Sequence, residues 1–95
     1  MDFHVRVPVQ LLQEGKQFVA ICPVLDVSAY GDTPEEARAN FSHAMDAFLE
    51  ETTRNHTLDR VLKEHGWQEV RQPNRPRWSP PQVIENVYEE ITLPA

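Results

Sequence analysis

From position 3 the chain alternates, with Phe3, Val5, Val7, Val9 and Leu11 on one side and Asp2, His4, Arg6, Pro8 and Gln10 on the other. This period of two predicts a strand over residues 3–11 with one wet face. Gln13, Glu14, Gly15 and Lys16 read as the loop of a hairpin. Residues 17–22 follow, with Phe18, Val19, Ala20, Ile21 and Cys22 apolar on both parities, as expected of a strand covered on both faces. Pro23 lacks the N–H that would continue the ladder and ends it. Residues 25–30 predict a third strand running into Gly31, and the short links favour an antiparallel meander.

The period changes at Gly31. Thr33 is placed as a helix cap, Pro34 suits the first helical position, and Glu36 completes a capping box with Thr33. Gly31 supplies a permissive backbone for the switch from strand to helix. From 34 to about 55, Ala37, Phe41, Ala44, Met45, Phe48 and Leu49 recur at intervals of three and four, a stripe wide enough to be a core face. Residues 57–65 predict a second, short helix capped by Thr57, with Leu58, Val61 and Leu62 as its apolar edge and Gly66 as its stop. Residues 67–71 fit a brief strand or a docking segment.

Residues 72–82 hold four of the eight prolines and exclude helix and central strand, so 71–82 reads as an extended connector. Residues 83–93 are rich in β-branched side chains, with Val83, Val87, Ile91 and Leu93 sharing a parity interrupted by Glu85 and Glu89. They predict a C-terminal strand that completes the same domain or pairs with a neighbouring chain. The fold class is α+β: an antiparallel sheet of three to four strands, one long helix on one face and a short second helix, in the order β-β-β-α-α-β.

Composition narrows the function. At 95 residues the chain is one domain, near the size at which a partner often completes the buried surface, and a homo-oligomer or complex is expected. The net charge of -6 is uneven: residues 26–69 carry ten acidic and four basic side chains, and the remainder balances five against five. Such a middle repels a phosphate backbone, disfavouring DNA, and attracts a basic protein. No run approaches the ~18 apolar residues of a membrane span. No basic, apolar, small-residue pattern opens the chain, so a cytoplasmic home is expected. The single cysteine, Cys22, cannot form an internal disulfide and sits among apolar neighbours as a small core residue.

No catalytic set emerges. His4, His43, His56 and His65 lack metal-ligand spacing. Ser28, Ser42 and Ser79 lack a nucleophile-elbow setting, and three glycines make no phosphate loop. Asp26 and Asp32 flank the third strand as a conceivable Mg²⁺-binding pair, but six residues of extended chain separate them by roughly 20 Å. The simpler reading makes Asp26 a turn residue and Asp32 a carboxylate at the helix's positive end. Arg71, Arg75 and Arg77 beside Trp78 suit nucleic acid, a solvated group, or pairing with Glu85, Glu89 and Glu90. No cofactor, metal site or enzymatic activity is expected.

Three stretches together resemble the HicB-like antitoxin family: Val19-Ala20-Ile21-Cys22-Pro23-Val24-Leu25-Asp26-Val27, then Gly31-Asp32-Thr33-Pro34-Glu35-Glu36-Ala37-Arg38-Ala39-Asn40-Phe41, then Thr57-Leu58-Asp59-Arg60-Val61-Leu62-Lys63-Glu64-His65-Gly66-Trp67. The likeness makes 1–70 a HicB-like domain. It implies a truncated ribonuclease H-like fold without nuclease activity, acting as the antitoxin of a toxin–antitoxin pair. The implied partner is a HicA-like toxin, a small basic ribonuclease whose surface the antitoxin occludes. Asp26, Asp32, Glu35, Glu36 and Asp46 are the candidate contacts, and Pro23, Gly31, Thr33, Pro34 and Gly66 the structural positions. Full antitoxins of this kind usually carry a C-terminal DNA-binding module. Only 29 residues follow Gly66, so a stand-alone domain without that module is expected. The alternative is a solitary homo-oligomeric scaffold or regulator that has lost its toxin.

Overall fold

The computed structural model describes residues 4–74 and 77–95. Its elements run β1 (Gln10–Glu14), β2 (Gln17–Cys22), β3 (Val27–Gly31), α1 (Pro34–Arg54), α2 (Leu58–Glu64), β4 (Gln68–Glu69) and β5 (Trp78–Ser79). The first three strands form an antiparallel sheet in the order β1-β2-β3, and β4 pairs with β5 in a separate two-stranded sheet. This is the α+β class expected, with a small second sheet added.

β2 is the central strand and is buried on both faces. Ala20 and Cys22 face α1 together with their partners Ala29 and Val27 on β3, and join one core with Ala37, Phe41, Leu62 and Trp67. Val19 points the other way, 1% exposed between Leu12 and Tyr30. The far face is otherwise wet at its edges, where Gln10, Leu12, Glu14, Ser28 and Tyr30 are exposed.

β1 begins at Gln10, not at residue 3, and runs to Glu14 through positions expected to be loop; Phe3 lies outside the described residues. Gln10 pairs with Ile21, and extending that register by two places Pro8 opposite Pro23. Neither has an N–H, so the ladder has no donor on either side and stops. Only Gly15 and Lys16 turn the hairpin. β3 likewise starts two residues later than expected, because Val24 and Leu25 turn inward to the core while Asp26 takes a left-handed φ of 55°.

α1 starts where its signals lie. The Thr33 hydroxyl accepts the Glu36 N–H at 3.0 Å, with Pro34 in the first turn. That bond is half of a capping box; among the described residues the Glu36 carboxylate makes no return bond to Thr33. Gly31 has a role other than the one expected. Its φ is not left-handed, yet a Cβ there would lie 2.8 Å from the Glu36 carbonyl carbon and 2.9 Å from the Ala37 Cα. The glycine is needed because helix backbone packs directly on strand backbone.

Both helices end in Schellman motifs. At α1 the Thr57 N–H donates to the Thr52 carbonyl and the His56 N–H to the Thr53 carbonyl, with His56 at φ 57°. Thr57 holds the N-cap position of α2, where its carbonyl accepts the Val61 N–H at 3.0 Å, but its hydroxyl makes no cap bond and donates back to the Thr52 carbonyl at 3.4 Å. At α2 the Trp67 N–H donates to the Leu62 carbonyl and the Gly66 N–H to the Lys63 carbonyl, with Gly66 at φ 85°. Trp67 and Leu62 are both buried, the apolar contact that commonly accompanies this motif.

The connector and the C-terminal segment depart from expectation. Trp78 and Ser79, inside the Pro-rich stretch, pair with Glu69 and Gln68 because the chain doubles back between them. Residues 83–93 form no strand within the chain and are exposed throughout. Strand-forming side chains need a ladder partner, and this segment has none on its own sheet.

Candidate functional site

The five candidate carboxylates, Asp26, Asp32, Glu35, Glu36 and Asp46, are all exposed. The structure does not gather them at one point. Asp32, Glu35 and Glu36 stand together at the β3–α1 junction, where the unpaired N–H groups of the first helical turn favour negative charge. Asp26 lies at the other end of β3, roughly 17–20 Å away at strand rise. Met45 and Leu49 of α1 line the same cavity as Leu25, so the helix runs back along β3 and brings Asp46 toward the Asp26 end. The arrangement is a bipolar acidic surface, too spread to share one ion. Among the described residues no group of three His, Cys, Asp or Glu side chains is placed to hold a metal.

Ion pairing divides the acidic middle, and Glu51 stays unpaired among the described residues alongside four of the candidates. Glu35 pairs with Arg38, Glu50 with Arg54 and Glu64 with Arg60, each at 3.9 Å on the surface. Asp59 meets Arg77 at 3.1 Å, and Glu69 meets Arg77 at 2.9 Å and Arg71 at 3.3 Å. Asp26, Asp32, Glu36 and Asp46 have no cationic partner among the described residues. Four of the five sequence candidates thus keep their charge unneutralised, whereas Glu35 shares its own with Arg38.

Arg71 and Arg77 are exposed, as the solvated reading expects, but their carboxylate partners differ from those expected. Arg71 and Arg77 are held by Glu69 and Asp59, not by Glu85, Glu89 or Glu90, while Arg75 lies outside the described residues. Arg77 also stacks over Trp78, 5.8 Å from the ring centroid, and the Trp78 indole N–H donates to Asp59 at 3.1 Å. Hydrogen bonds from Arg77 and then Arg71 hold the Glu69 carboxyl below the usual glutamate range, and the Glu69 bond in turn raises Arg77. This knot clamps β4 to β5. The sequence carried no periodic signal for it, because Glu69 and Arg77 meet only across the turn of the second sheet.

An apolar cavity of about 380 Å³ lies where α1, α2 and the N-terminal segment converge, lined by Val5, Leu25, Met45, Leu58, Trp67 and Trp78 among others. It offers a ligand no free polar handle. The Trp67 indole N–H is committed to the Val24 carbonyl at 2.9 Å, the Trp78 indole to Asp59, and Arg77 to its two carboxylates. Cys22 is fully buried, and burial pushes its thiol up, away from the reactive thiolate. No helix among the described residues is long and apolar enough to cross a membrane. Compared with protein-family models, with curated proteins and with solved structures, the chain returns no match.

Proposed function

We propose that the chain is a HicB-like antitoxin domain that binds a HicA-type basic ribonuclease toxin and occludes its surface, without chemistry or DNA binding of its own. The observation that carries the reading is the set of exposed carboxylates Asp26, Asp32, Glu36 and Asp46, which flank β3 or lie on α1 and, like Glu51, have no cationic partner among the described residues, while Glu35, Glu50, Asp59, Glu64 and Glu69 pair with arginines. Charges spread along a rigid strand–helix frame suit the extended basic face of a protein, steering its approach and fixing its orientation. The β-β-β-α order and the resemblance in residues 19–67 support the same reading.

The test is co-expression with the product of the adjacent reading frame, scored by growth rescue and by recovery of a complex. The wild-type chain rescues growth, and the double variant Asp32→Lys, Glu36→Lys loses both rescue and complex while keeping its helical circular dichroism. Binding also weakens as salt rises from ~0.1 to 1 M, since screening shortens the reach of exposed charges. A neighbouring product that is not basic, or rescue that survives the charge reversal, overturns the proposal.

A further inference from the structure

The segment after Pro81 is unlike the rest of the surface. Ile84 is 94% exposed, Tyr88 104% and Ile91 77%, with Val87 and Leu93 also bare. Residues 83–93 contain neither Gly nor Pro, so nothing in them resists an extended strand. Large apolar side chains clustered this way on a small protein mark an interaction surface. The chain is correspondingly long, 53 Å along its major axis, with a radius of gyration of 15.9 Å against roughly 12–13 Å for a compact chain of this size.

The acceptor is present in the same molecule. β1 is an edge strand, exposed at all five residues including Leu11 and Leu12, and it has no ladder partner on its outer side. At the opposite edge, Asn40 of α1 already donates to the Tyr30 carbonyl of β3 at 2.8 Å. A groove of about 540 Å³ runs between the β1 side, from Pro8 to Leu12, and Val83, Val87 and Tyr88. The two surfaces face each other without closing. Charge adds a direction: the segment carries Glu85, Glu89 and Glu90 and no cation, whereas exposed Arg6 and Lys16 flank β1 with Glu14 between them.

We infer that residues 83–93 are a donor strand for a second copy of this chain, each copy laying its segment along the β1 edge and the groove of the other. Backbone bonds to the free edge supply pairing, and side chains of the two faces settle one set against Leu11 and the other against Leu12, the usual logic of strand addition. Reciprocity doubles the contact, moving it toward the ~800 Å² per partner of a stable interface. A second copy is the occupant favoured, because within one chain the segment lies across the groove from β1 and pairs with no strand there, while donor, acceptor and opposite charges all belong to one sequence. The inference does not rest on the antitoxin reading and is tested without any toxin.

The measurement is the solution mass of the pure full-length chain by light scattering. Twice the 11.0 kDa chain mass is expected, and the double variant Val87→Lys, Ile91→Lys should halve it with an unchanged helical spectrum. Separately tagged Leu12→Cys and Val87→Cys chains, refolded together and oxidised, should form a mixed interchain disulfide. A monomeric wild-type chain overturns the proposal, as does a lysine double variant that remains dimeric. So does a chain carrying both cysteines that closes the bond within itself, which would place the segment on its own edge.

Discussion

Gly31 and Ala37 are in backbone-to-backbone contact: a methyl on Gly31 would sit 2.9 Å from the Ala37 Cα and closer still to its nitrogen. Neither partner is a flexible side chain, so nothing can swing aside. Gly31→Ala should therefore push α1 off the sheet and lower the unfolding free energy by roughly 1–3 kcal/mol or more, the usual cost of overpacking. Urea unfolding followed by circular dichroism measures it, and a loss below ~0.5 kcal/mol would show that the junction yields.

His56 lies at the opposite extreme, with room but the wrong conformation. Its φ of 57° occupies the position that glycine usually fills in a Schellman motif. His56→Gly should relieve roughly 1 kcal/mol of left-handed strain, raising the melting temperature by about 4–8 °C for a domain of this size. The His56 side chain is exposed, so little packing is lost in exchange.

Trp67 ties the region after α2 to the turn before β3 through its indole bond to the Val24 carbonyl, 43 residues away. Trp67→Phe keeps most of the apolar volume but removes the donor, leaving that acceptor unpaired. The expected cost is about 1–3 kcal/mol, the desolvation penalty of an unmet buried group, read as a lower urea midpoint with an unchanged slope.

The β4–β5 clamp should respond to acid. Glu69 is held below the ordinary glutamate range by Arg77 and then Arg71. A depressed carboxyl contributes its stabilisation above the unfolded value and loses it as pH falls through the folded one. The Arg77 side-chain N–H resonance should therefore hold its bonded position through neutral pH and shift only below the ordinary glutamate pKa of ~4.3. In Glu69→Gln the part of the acid transition seen at Arg77 Nε–H, which faces Glu69 at 2.9 Å, should disappear, leaving only what the Asp59 contact at Nη2 contributes.

The elements that periodicity announces are the ones that depend on their own residues alone. α1 starts at Pro34 because Thr33 and Pro34 act within one turn, and α2 ends before Gly66 for the same local reason. β1 was displaced because the opposition of Pro8 and Pro23 is a property of the register, which no single strand contains. The connector conceals β5 because Glu69 and Arg77 are partners only after the turn has formed. In the candidate surface the surplus of carboxylates was legible by count. The placing of Asp26 and Asp32 at opposite ends of β3 was legible too; which carboxylates arginines pair with, and that α1 brings Asp46 back toward the Asp26 end, required coordinates.

The two facing prolines also decide what becomes of the chain's opening residues. Released from the sheet, the stretch ahead of β1 carries Val5 and Val7 to the seam where Met45, Leu58 and Trp67 converge. A ladder continued in that register would have set Val7 opposite Val24 and Val5 opposite Asp26, and left that seam without a lid. Hydrogen bonds forgone at the sheet's margin are thus exchanged for a roof over the interior.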